Sequence, residues 1–341
     1  MTELFLTCKQ KQKFEYKILI KIGWLILPMI AIILSCSVKT FILLSIVAII
    51  FLISPEASAS NSSTKNVDKF GIEMIYPTNT STDAPKPWFS DNNWRERTFE
   101  WEDDEDVEIS EKAINNTVVE LNIESDGQIR FPVLAINETS HLNSLELNQN
   151  ELEERGYMGT PQDWRNVEVT FYAKVNEARG SGNGGQHFEI FTRGGPTHSS
   201  SEVCEGVSLH TNLYIDGRVK VEKELSHTDG YATDEFDRED ATTNLMDRWI
   251  GMKGIFYNTP DGNVQIEIWL DKNANNDWGI EPVLSKLDNG GWFIKNQNDN
   301  ECQGENDQIV SWGGPVTAFR WDNLQDVDFK LASIREIVPP Q

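Results

Sequence analysis

Apolar and polar residues alternate with a period of two over long stretches of the second half of the chain. The pattern is clearest in Val167–Val175 and in Val207–Ile215, where apolar residues occupy almost every second position. Successive side chains of a β-strand point to opposite faces, so this pattern predicts strands with one buried and one solvent-facing side. Strands of that kind pair antiparallel, and the chain is therefore predicted to be all-β.

Turn residues connect these predicted strands into hairpins. Asp216-Gly217 is a tight-turn dipeptide, and it joins Val207–Ile215 to the next predicted strand, Arg218–Leu225. The same alternation predicts further strands at Phe70–Tyr76, Thr98–Trp101, Val118–Ile123, Gln128–Ile136, Trp249–Tyr257, Val264–Leu270, Val316–Trp321 and Val327–Ile337. Only Leu145–Gly156 has a helical pattern. About a dozen antiparallel strands predict one large sandwich of two sheets.

The first 59 residues have the pattern of a signal or membrane-anchor segment. Lysines precede an uncharged run, Ile22–Val38, and a second apolar run, Phe41–Ile53, leads to a small-x-small site that ends at Ala59. Either Ile22–Val38 anchors the chain, or translation starts near Met29 and the second run is a cleaved signal. Residues 60–68 are predicted to be a polar linker and residues 69–338 the sandwich domain. We expect that domain on the extracellular face of the membrane or secreted.

The overall charge excludes one class of partner. The chain has 54 Asp and Glu against 30 Lys and Arg, a formal net charge of −24. Nucleic-acid binding needs basic side chains that displace phosphate counterions, so no nucleic-acid partner is expected. Hydrophobic residues make up 39% of the chain, which excludes both a polytopic membrane protein and a disordered chain.

Cysteines and glycosylation motifs agree with export. Cys204 and Cys302 are the two cysteines that follow the leader, and in an oxidising compartment they are expected to form a disulfide, with two separate buried thiols as the alternative. Asn-x-Ser/Thr acceptor motifs begin at Asn61, Asn79, Asn115 and Asn137. These motifs predict a glycosylated front half of the exported chain.

Several motifs rich in aromatic residues and glycine follow one another after residue 156: Tyr157-Met158, Pro161–Val169, Trp249–Asn258, Ile266–Asn273, Trp312–Pro315, Phe319–Asn323, Phe329-Lys330 and Ser333–Ile337. Together they resemble the concanavalin A-like lectin/glucanase superfamily, and most of all its exported, uncharacterised archaeal members. The resemblance implies a jelly roll, a curved two-sheet antiparallel sandwich whose concave face often holds a glycan. It implies no particular activity.

Alternation also predicts which side chains share the polar face of the sandwich. Aromatic rings interleaved with hydrogen-bonding groups are what a saccharide groove requires. The predicted carbohydrate-binding residues are Tyr172, Lys174, Glu189, His210, Asn212, Tyr214, Glu267, Trp269 and Arg320. The plain alternative is a solvated sheet face whose aromatic residues are structural.

A lyase is the enzymatic alternative. His187 or His210, together with Tyr257, is the candidate base for removing the α-proton of a uronate, and Arg193 is the candidate that neutralises its carboxylate. The jelly-roll alginate lyases, which the chain distantly resembles, carry Arg-x-Glu-x-Arg, Gln-x-His and Tyr-Phe-Lys-Ala-Gly strands. Here the first motif is His187-x-Glu189-x-Phe191, and of the third only Phe329-Lys330 is present.

A glucanase is less well supported by the spacing of carboxylates. Retaining enzymes need two carboxyl groups about 5 Å apart. Glu267 and Asp271 are separated by four positions, which is roughly 13 Å along a strand.

A possible calcium loop follows the strand that ends near Leu270. Asp271, Asn273, Asn275 and Asp277 offer side-chain oxygens at every second residue, as calcium-binding loops do. The glycine and the glutamate expected at the sixth and twelfth positions of an EF-hand loop are missing, and Asn and Asp also favour turns. Bound Ca²⁺ and an ordinary hairpin loop therefore both fit this segment.

These observations lead to one preferred function and two alternatives. The preferred one is an exported or membrane-tethered cell-surface protein that binds a polysaccharide or cell-surface glycan. The alternatives are a polysaccharide lyase or glycoside hydrolase acting on the same face, and a structural envelope protein.

Overall fold

The structure is a computed structural model that describes residues 66–91, 94–96, 98, 101–102, 107–125, 127–135, 163–180, 185–194, 203–227, 230–232, 237–292, 302 and 307–341. The signal or anchor segment, residues 60–65 of the linker and the helix expected at Leu145–Gly156 lie outside these residues. Within the described part of the chain, no helix is both long enough and apolar enough to span a membrane.

The described residues form fifteen strands and two short 3₁₀ helices, Trp94–Glu96 and Val203–Gly206. The strands are β1 Trp88–Phe89, β2 Trp101–Glu102, β3 Glu108–Ala113, β4 Val119–Glu124, β5 Gln128–Leu134, β6 Val167–Ala178, β7 His187–Gly194, β8 Ser208–Tyr214, β9 Arg218–Glu224, β10 Glu239–Asp240, β11 Trp249–Asn258, β12 Val264–Asp271, β13 Leu284–Asp288, β14 Val316–Asp322 and β15 Leu324–Glu336.

These strands form two antiparallel sheets. Sheet 1 has the order β13-β12-β11-β6-β15-β4-β3, with β1 paired to β15, and sheet 2 has the order β10-β9-β8-β7-β14-β5-β2. Every strand pair is antiparallel. The prediction of an all-β, two-sheet antiparallel sandwich of the jelly-roll type is confirmed.

Aromatic residues from both sheets meet between them. The ring of Phe171 on sheet 1 lies 5.5 Å from that of Phe188 and 6.0 Å from that of Phe319, both on sheet 2. Trp321 of sheet 2 contacts Phe329 of sheet 1 at 5.5 Å. Because these rings sit at alternate strand positions, the intervening polar residues of each sheet point away from the core, onto two outer faces.

The segment Phe70–Tyr76 does not form the predicted strand. Residues 66–79, here called the N-terminal strap, make isolated bridges such as Val67 with Glu73 and lie against the outer face of sheet 1. Ile72 and Tyr76 of the strap pack in one apolar cluster with Tyr257. The alternation of apolar residues in this segment therefore reflects packing on a sheet rather than membership of one.

Candidate functional site

The predicted polar residues divide between two outer faces on opposite sides of the sandwich. Tyr172, Lys174, Tyr257, Glu267 and Trp269 belong to sheet 1, since their neighbours on β6, β11 and β12 point into the core. The others belong to sheet 2: His187, Glu189, His210, Asn212, Tyr214 and Arg320. Period-two alternation identifies the outward side chains of each strand but not the sheet to which a strand belongs.

The strap covers part of the outer face of sheet 1 and binds its polar groups. The carboxylate of Glu267 accepts hydrogen bonds from Tyr76 Oη at 3.1 Å, Tyr257 Oη at 3.0 Å and Trp269 Nε1 at 2.8 Å. Burial raises the pKa of Tyr76 to about 12, and the Glu267 charge adds to that effect. Glu267, which was predicted to contact a sugar, is therefore hydrogen-bonded to Tyr76 of the strap, and its neighbour Trp269 donates to the same carboxylate.

A buried ion cluster lies under the same strap. Glu168 accepts the backbone N–H of Ile75 at 3.1 Å and that of Tyr76 at 3.0 Å, and pairs with Lys253 at 3.1 Å and Arg335 at 2.6 Å. Burial opposes the charge of Glu168, but the two cations outweigh it and lower its pKa. The cluster fixes the strap to sheet 1.

Sheet 2 presents a row of polar side chains that crosses five strands. Strand register places Arg130, Arg320, Glu189, Asn212 and Lys220 side by side on β5, β14, β7, β8 and β9. Four strand spacings give the row a length of about 19 Å. A second row holds Asp322, His187 and Tyr214. We call these eight residues together with His210 the polar face of sheet 2.

Glu189 is the centre of this face. Its Oε1 accepts a hydrogen bond from His210 Nδ1 at 2.7 Å and lies 3.5 Å from Arg320 Nη1, and its Oε2 lies 3.3 Å from His187 Nε2. Burial opposes ionisation of this carboxyl, but Arg320 and His210 hold its pKa well below its usual range. Glu189 is therefore a fixed carboxylate.

His210 lies between two carboxylates. Besides Glu189, its ring contacts Ser208 Oγ at 2.8 Å and Glu224 Oε2 at 3.3 Å, both through Nε2. Burial disfavours the charged ring, yet the two carboxylates outweigh burial and raise its pKa to about 10. At neutral pH His210 is an imidazolium that donates from both nitrogens, so it organises the face and does not act as a general base.

The least buried groups of the face are His187, Arg320 and Asp322, here called the rim, and Lys220, whose side chain is 14% exposed. Arg320 donates to both carboxylate oxygens of Asp322, at 3.0 and 2.8 Å, and its side chain is 13% exposed, as is that of His187. The His187 ring lies 5.1 Å from that of Tyr214, against which the Arg238 guanidinium stacks at 3.5 Å. Charged groups are thus held together at the rim, as polar recognition of a ligand requires, and the Tyr214 ring lies beneath them, 5% exposed.

Sequence reasoning missed several members of this network. Ser208 and Glu224 contact His210, and Asp322 fixes Arg320. Ser208 lies two positions before His210 on the same strand, and Asp322 two positions after Arg320, so the period-two rule could have included both. Glu224 belongs to a different strand, β9, and it comes close to His210 only because β9 pairs with β8. The sequence pattern does not show that pairing.

The three residues predicted for a lyase are not brought together. His187 is on the polar face of sheet 2, whereas Tyr257 lies on the outer face of sheet 1, where it bonds to Glu267. Arg193 is 1% exposed and donates to the carbonyl of Val310. Sites on opposite sides of a sandwich cannot act on one sugar unit.

The loop predicted to bind calcium is closed by its own hydrogen bonds. Asp271 accepts the backbone N–H of Asn275 at 3.1 Å and of Asn276 at 2.6 Å, and the hydroxyl of Tyr172 at 2.8 Å. Asn275 Oδ1 accepts the N–H of Asp277, and Asn273 donates its N–H to Asp271. Among the described residues no group of three or more His, Cys, Asp or Glu could hold a metal ion. Bound Ca²⁺ at the loop Asp271–Asp277 stays a prediction.

The predicted disulfide between Cys204 and Cys302 is confirmed, with a Cα–Cα distance of 5.3 Å. Of the glycosylation motifs, Asn115 lies exposed in the β3–β4 turn, where its Oδ1 accepts the N–H groups of Thr117 and Val118. Asn79 is partly exposed in the strap. Asn61 and Asn137 lie outside the described residues.

No protein-family model matches the chain, and no curated protein matches it. The solved structures that it is similar to include endo-β-1,4-glucuronan lyase from the fungus Trichoderma reesei, with a TM-score of 0.37 and 8% identity over 74% of this chain and 98% of that one. A protein of unknown function with a galectin-like fold from Bacillus subtilis has a TM-score of 0.34 and 13% identity over 69% and 90%. The exoplasmic/lumenal domain of VIP36, in a Ca²⁺/Man3GlcNAc-bound form, has a TM-score of 0.34 and 11% identity over 69% and 84%. Likenesses as distant as these three carry no argument about the function of this chain.

Proposed function

We propose that the protein binds an extracellular carbohydrate through the polar face of sheet 2. The observation that carries the proposal is the set of charged and hydrogen-bonding groups fixed around Glu189, with His187 and Arg320 at the accessible rim beside the Tyr214 ring. Saccharides are recognised by hydrogen bonds to fixed polar groups and by stacking on aromatic rings. A network that is aligned before the ligand arrives loses little side-chain entropy on binding.

The charge of the face favours an acidic saccharide. With both histidines protonated, the cations on and beside it are Arg130, His187, His210, Arg218, Lys220, Arg238 and Arg320, against six carboxylates, Glu189, Asp216, Glu222, Glu224, Asp240 and Asp322. The whole chain carries a formal net charge of −24, so this face is far less negative than the rest of the protein. Uronate or sulfate groups on a polysaccharide would meet less repulsion here than elsewhere on the surface.

A lyase acting at the same face is the second candidate, and His187 is the residue that supports it. A general base must reach the ligand and titrate near the working pH. His210 has a pKa raised to about 10 and Tyr214, through burial and the nearby charge of Glu222, a pKa raised to about 12, so neither meets that requirement. His187 lies at the rim, with a side chain that is 13% exposed. Burial disfavours its charged form, but Glu189 and Asp322 raise its pKa, so it accepts a proton only in the fraction of molecules in which the ring is neutral.

The proposal is tested with the full-length protein on a panel of acidic and neutral polysaccharides, with calcium or with a chelator. Retention on acidic polysaccharides without products is the expected result, equal with and without calcium. Release of unsaturated ends would replace binding by lyase activity, and release of reducing sugar would indicate a hydrolase. Dependence on calcium would support the predicted metal site in the loop Asp271–Asp277. A folded protein that is retained by none of the polysaccharides and yields no products would contradict the proposal and favour the structural envelope protein.

We also propose that the protein is exported and tethered at, or released from, the outer face of the membrane, with glycans at Asn79 and Asn115. The Cys204–Cys302 disulfide supports export, because disulfides persist in oxidising compartments. Protease treatment of intact cells should remove the protein or find it in the medium, and glycosidase treatment should lower its mass. Protection of the protein in intact cells would contradict export.

A further inference from the structure

Arg193 occupies an irregular position at the end of β7. The ladder with β14 pairs Thr192 with Thr317 and Gly194 with Val316, so Arg193 is an extra residue in a β-bulge. Its φ of 67° is in the left-handed region, which is unfavourable for a residue with a Cβ. Bulges redirect side chains, and here the redirected side chain is buried, with 1% of the residue exposed.

The guanidinium of Arg193 is buried with most of its donors unused. Nη1 donates to the Val310 carbonyl at 2.7 Å, whereas Nε and Nη2 have no hydrogen-bond partner. In the part of the chain that the structure describes, no carboxylate forms an ion pair with this group. The nearby carboxyl of Glu336 instead accepts the N–H groups of Arg165 at 3.1 Å and Asn166 at 2.9 Å.

Another unused donor belongs to the segment that Arg193 contacts. Trp312, two residues after Val310, has a buried indole N–H without a partner. Gly314 of the same segment packs directly on the backbone of Arg193, where an added Cβ would lie 2.2 Å from the Arg193 carbonyl carbon. The chain therefore keeps a strained bulge and a close glycine contact at a site with unsatisfied N–H donors.

We propose that Arg193 Nε and Nη2 bind a small inorganic anion, of the size and charge of chloride, inside the sandwich. The carboxylates of Glu336 and Asp288 act on the buried guanidinium only from a distance, since neither forms an ion pair with it. An anion at Nε and Nη2 supplies both a charge in direct contact and a hydrogen-bond acceptor, whereas water supplies only the acceptor. Burial lowers the pKa of Arg193 to about 9, and a bound anion would oppose that shift. The site is separate from the polar face and does not depend on the proposed carbohydrate ligand, which cannot reach a side chain so fully buried.

The test compares full-length wild-type protein with R193Q and with R165Q, which changes an exposed arginine nearby. Thermal unfolding is followed while chloride replaces gluconate at constant ionic strength, and crystals grown in bromide are measured for anomalous scattering. We expect a saturable rise in the unfolding temperature for wild type and R165Q but not for R193Q, and a bromide peak beside Nε and Nη2 of Arg193.

Two results would overturn the proposal. One is an equal unfolding temperature in chloride and gluconate together with no bromide peak at Arg193, which would assign water to these donors. The other is a chloride response that R193Q retains, which would place the ion elsewhere. If R193Q does not fold, the bromide measurement on the wild-type protein decides alone.

Discussion

His210 Nδ1 lies 2.7 Å from Glu189 Oε1, and this contact joins the neighbouring strands β8 and β7 of sheet 2. The opposite side of the same ring faces Glu224 at 3.3 Å. One buried imidazolium thus compensates two buried carboxylates, and through Glu189 it also holds His187 and Arg320 at the rim. The arrangement of the accessible groups depends on a residue that the ligand need not touch.

Replacing His210 by Asn should strongly destabilise the protein, because the buried carboxylates of Glu189 and Glu224 would lose the cation that they share. Losing one partner of a buried ion pair costs about 3–5 kcal/mol. Urea denaturation measures this loss. H227N is the matched control, since His227 also contacts Glu224, at 2.7 Å, but is 13% exposed; we expect it to cost about 1 kcal/mol. Equal losses for both variants would show that His210 is not the central cation.

Stability should fall as pH rises from neutral toward alkaline values. Because the pKa of His210 is raised from 6.5 to about 10 in the fold, its stabilisation is complete below pH 6.5 and is lost as pH rises through 10. The difference in the free energy of unfolding between wild type and H210N should therefore be constant below pH 6.5 and shrink between 6.5 and 10. A difference that does not change over this range would contradict a protonated His210.

The substitution E168Q should loosen the N-terminal strap. A neutral amide in place of the Glu168 carboxylate would leave Lys253 and Arg335 buried without their counter-charge and would weaken the acceptors for the Ile75 and Tyr76 N–H groups. We expect a loss of about 3–5 kcal/mol and faster hydrogen exchange at those two amides, read by NMR or mass spectrometry. E120Q is the control, because Glu120 also pairs with a lysine, Lys330, but is 17% exposed. Hydrogen exchange in the strap should be unchanged in E120Q. Unchanged exchange in E168Q would refute the role of the cluster.

Breaking the disulfide should destabilise the protein without changing its fold. The Cys204–Cys302 bond closes a loop with a sequence separation of 98 residues, for which chain entropy predicts a contribution of about 4.7 kcal/mol. The double variant C204S/C302S should show a lower urea midpoint and the same far-UV circular dichroism. An unchanged midpoint would mean that the loop is equally constrained without the bond.

The sequence was sufficient for the fold class because alternation is a local signal. β6, β8, β11 and β15 each place one face in the core between the sheets, so their core residues recur at about every second position, although the outer face of β8 is buried as well. β3 was not predicted, since it is an edge strand that is almost wholly exposed and carries Glu108, Glu111 and Lys112. The strap was predicted as a strand because its apolar residues pack on a sheet.

The candidate site could be predicted only in part, because sheet membership is not local. His187 and Tyr257 both alternate outward, yet one belongs to sheet 2 and the other to sheet 1. Arg193 should follow Glu189 and Phe191 onto the same face, but the bulge between Thr192 and Gly194 turns it away. The residue pattern of a single strand predicts neither the sheet to which the strand belongs nor the position of a bulge.

The most direct test of the account compares the two outer faces. H187Q and R320Q alter the rim of the polar face, and K174Q alters a partly exposed lysine on the opposite face, which is paired with Asp328 at 2.7 Å. Binding of the full-length variants to acidic polysaccharides would be measured by calorimetry, with folding checked by circular dichroism. The account predicts that H187Q and R320Q weaken binding at least about tenfold, or about 1.4 kcal/mol, while K174Q binds as wild type does. Normal binding by the first two variants, with loss in K174Q, would contradict it.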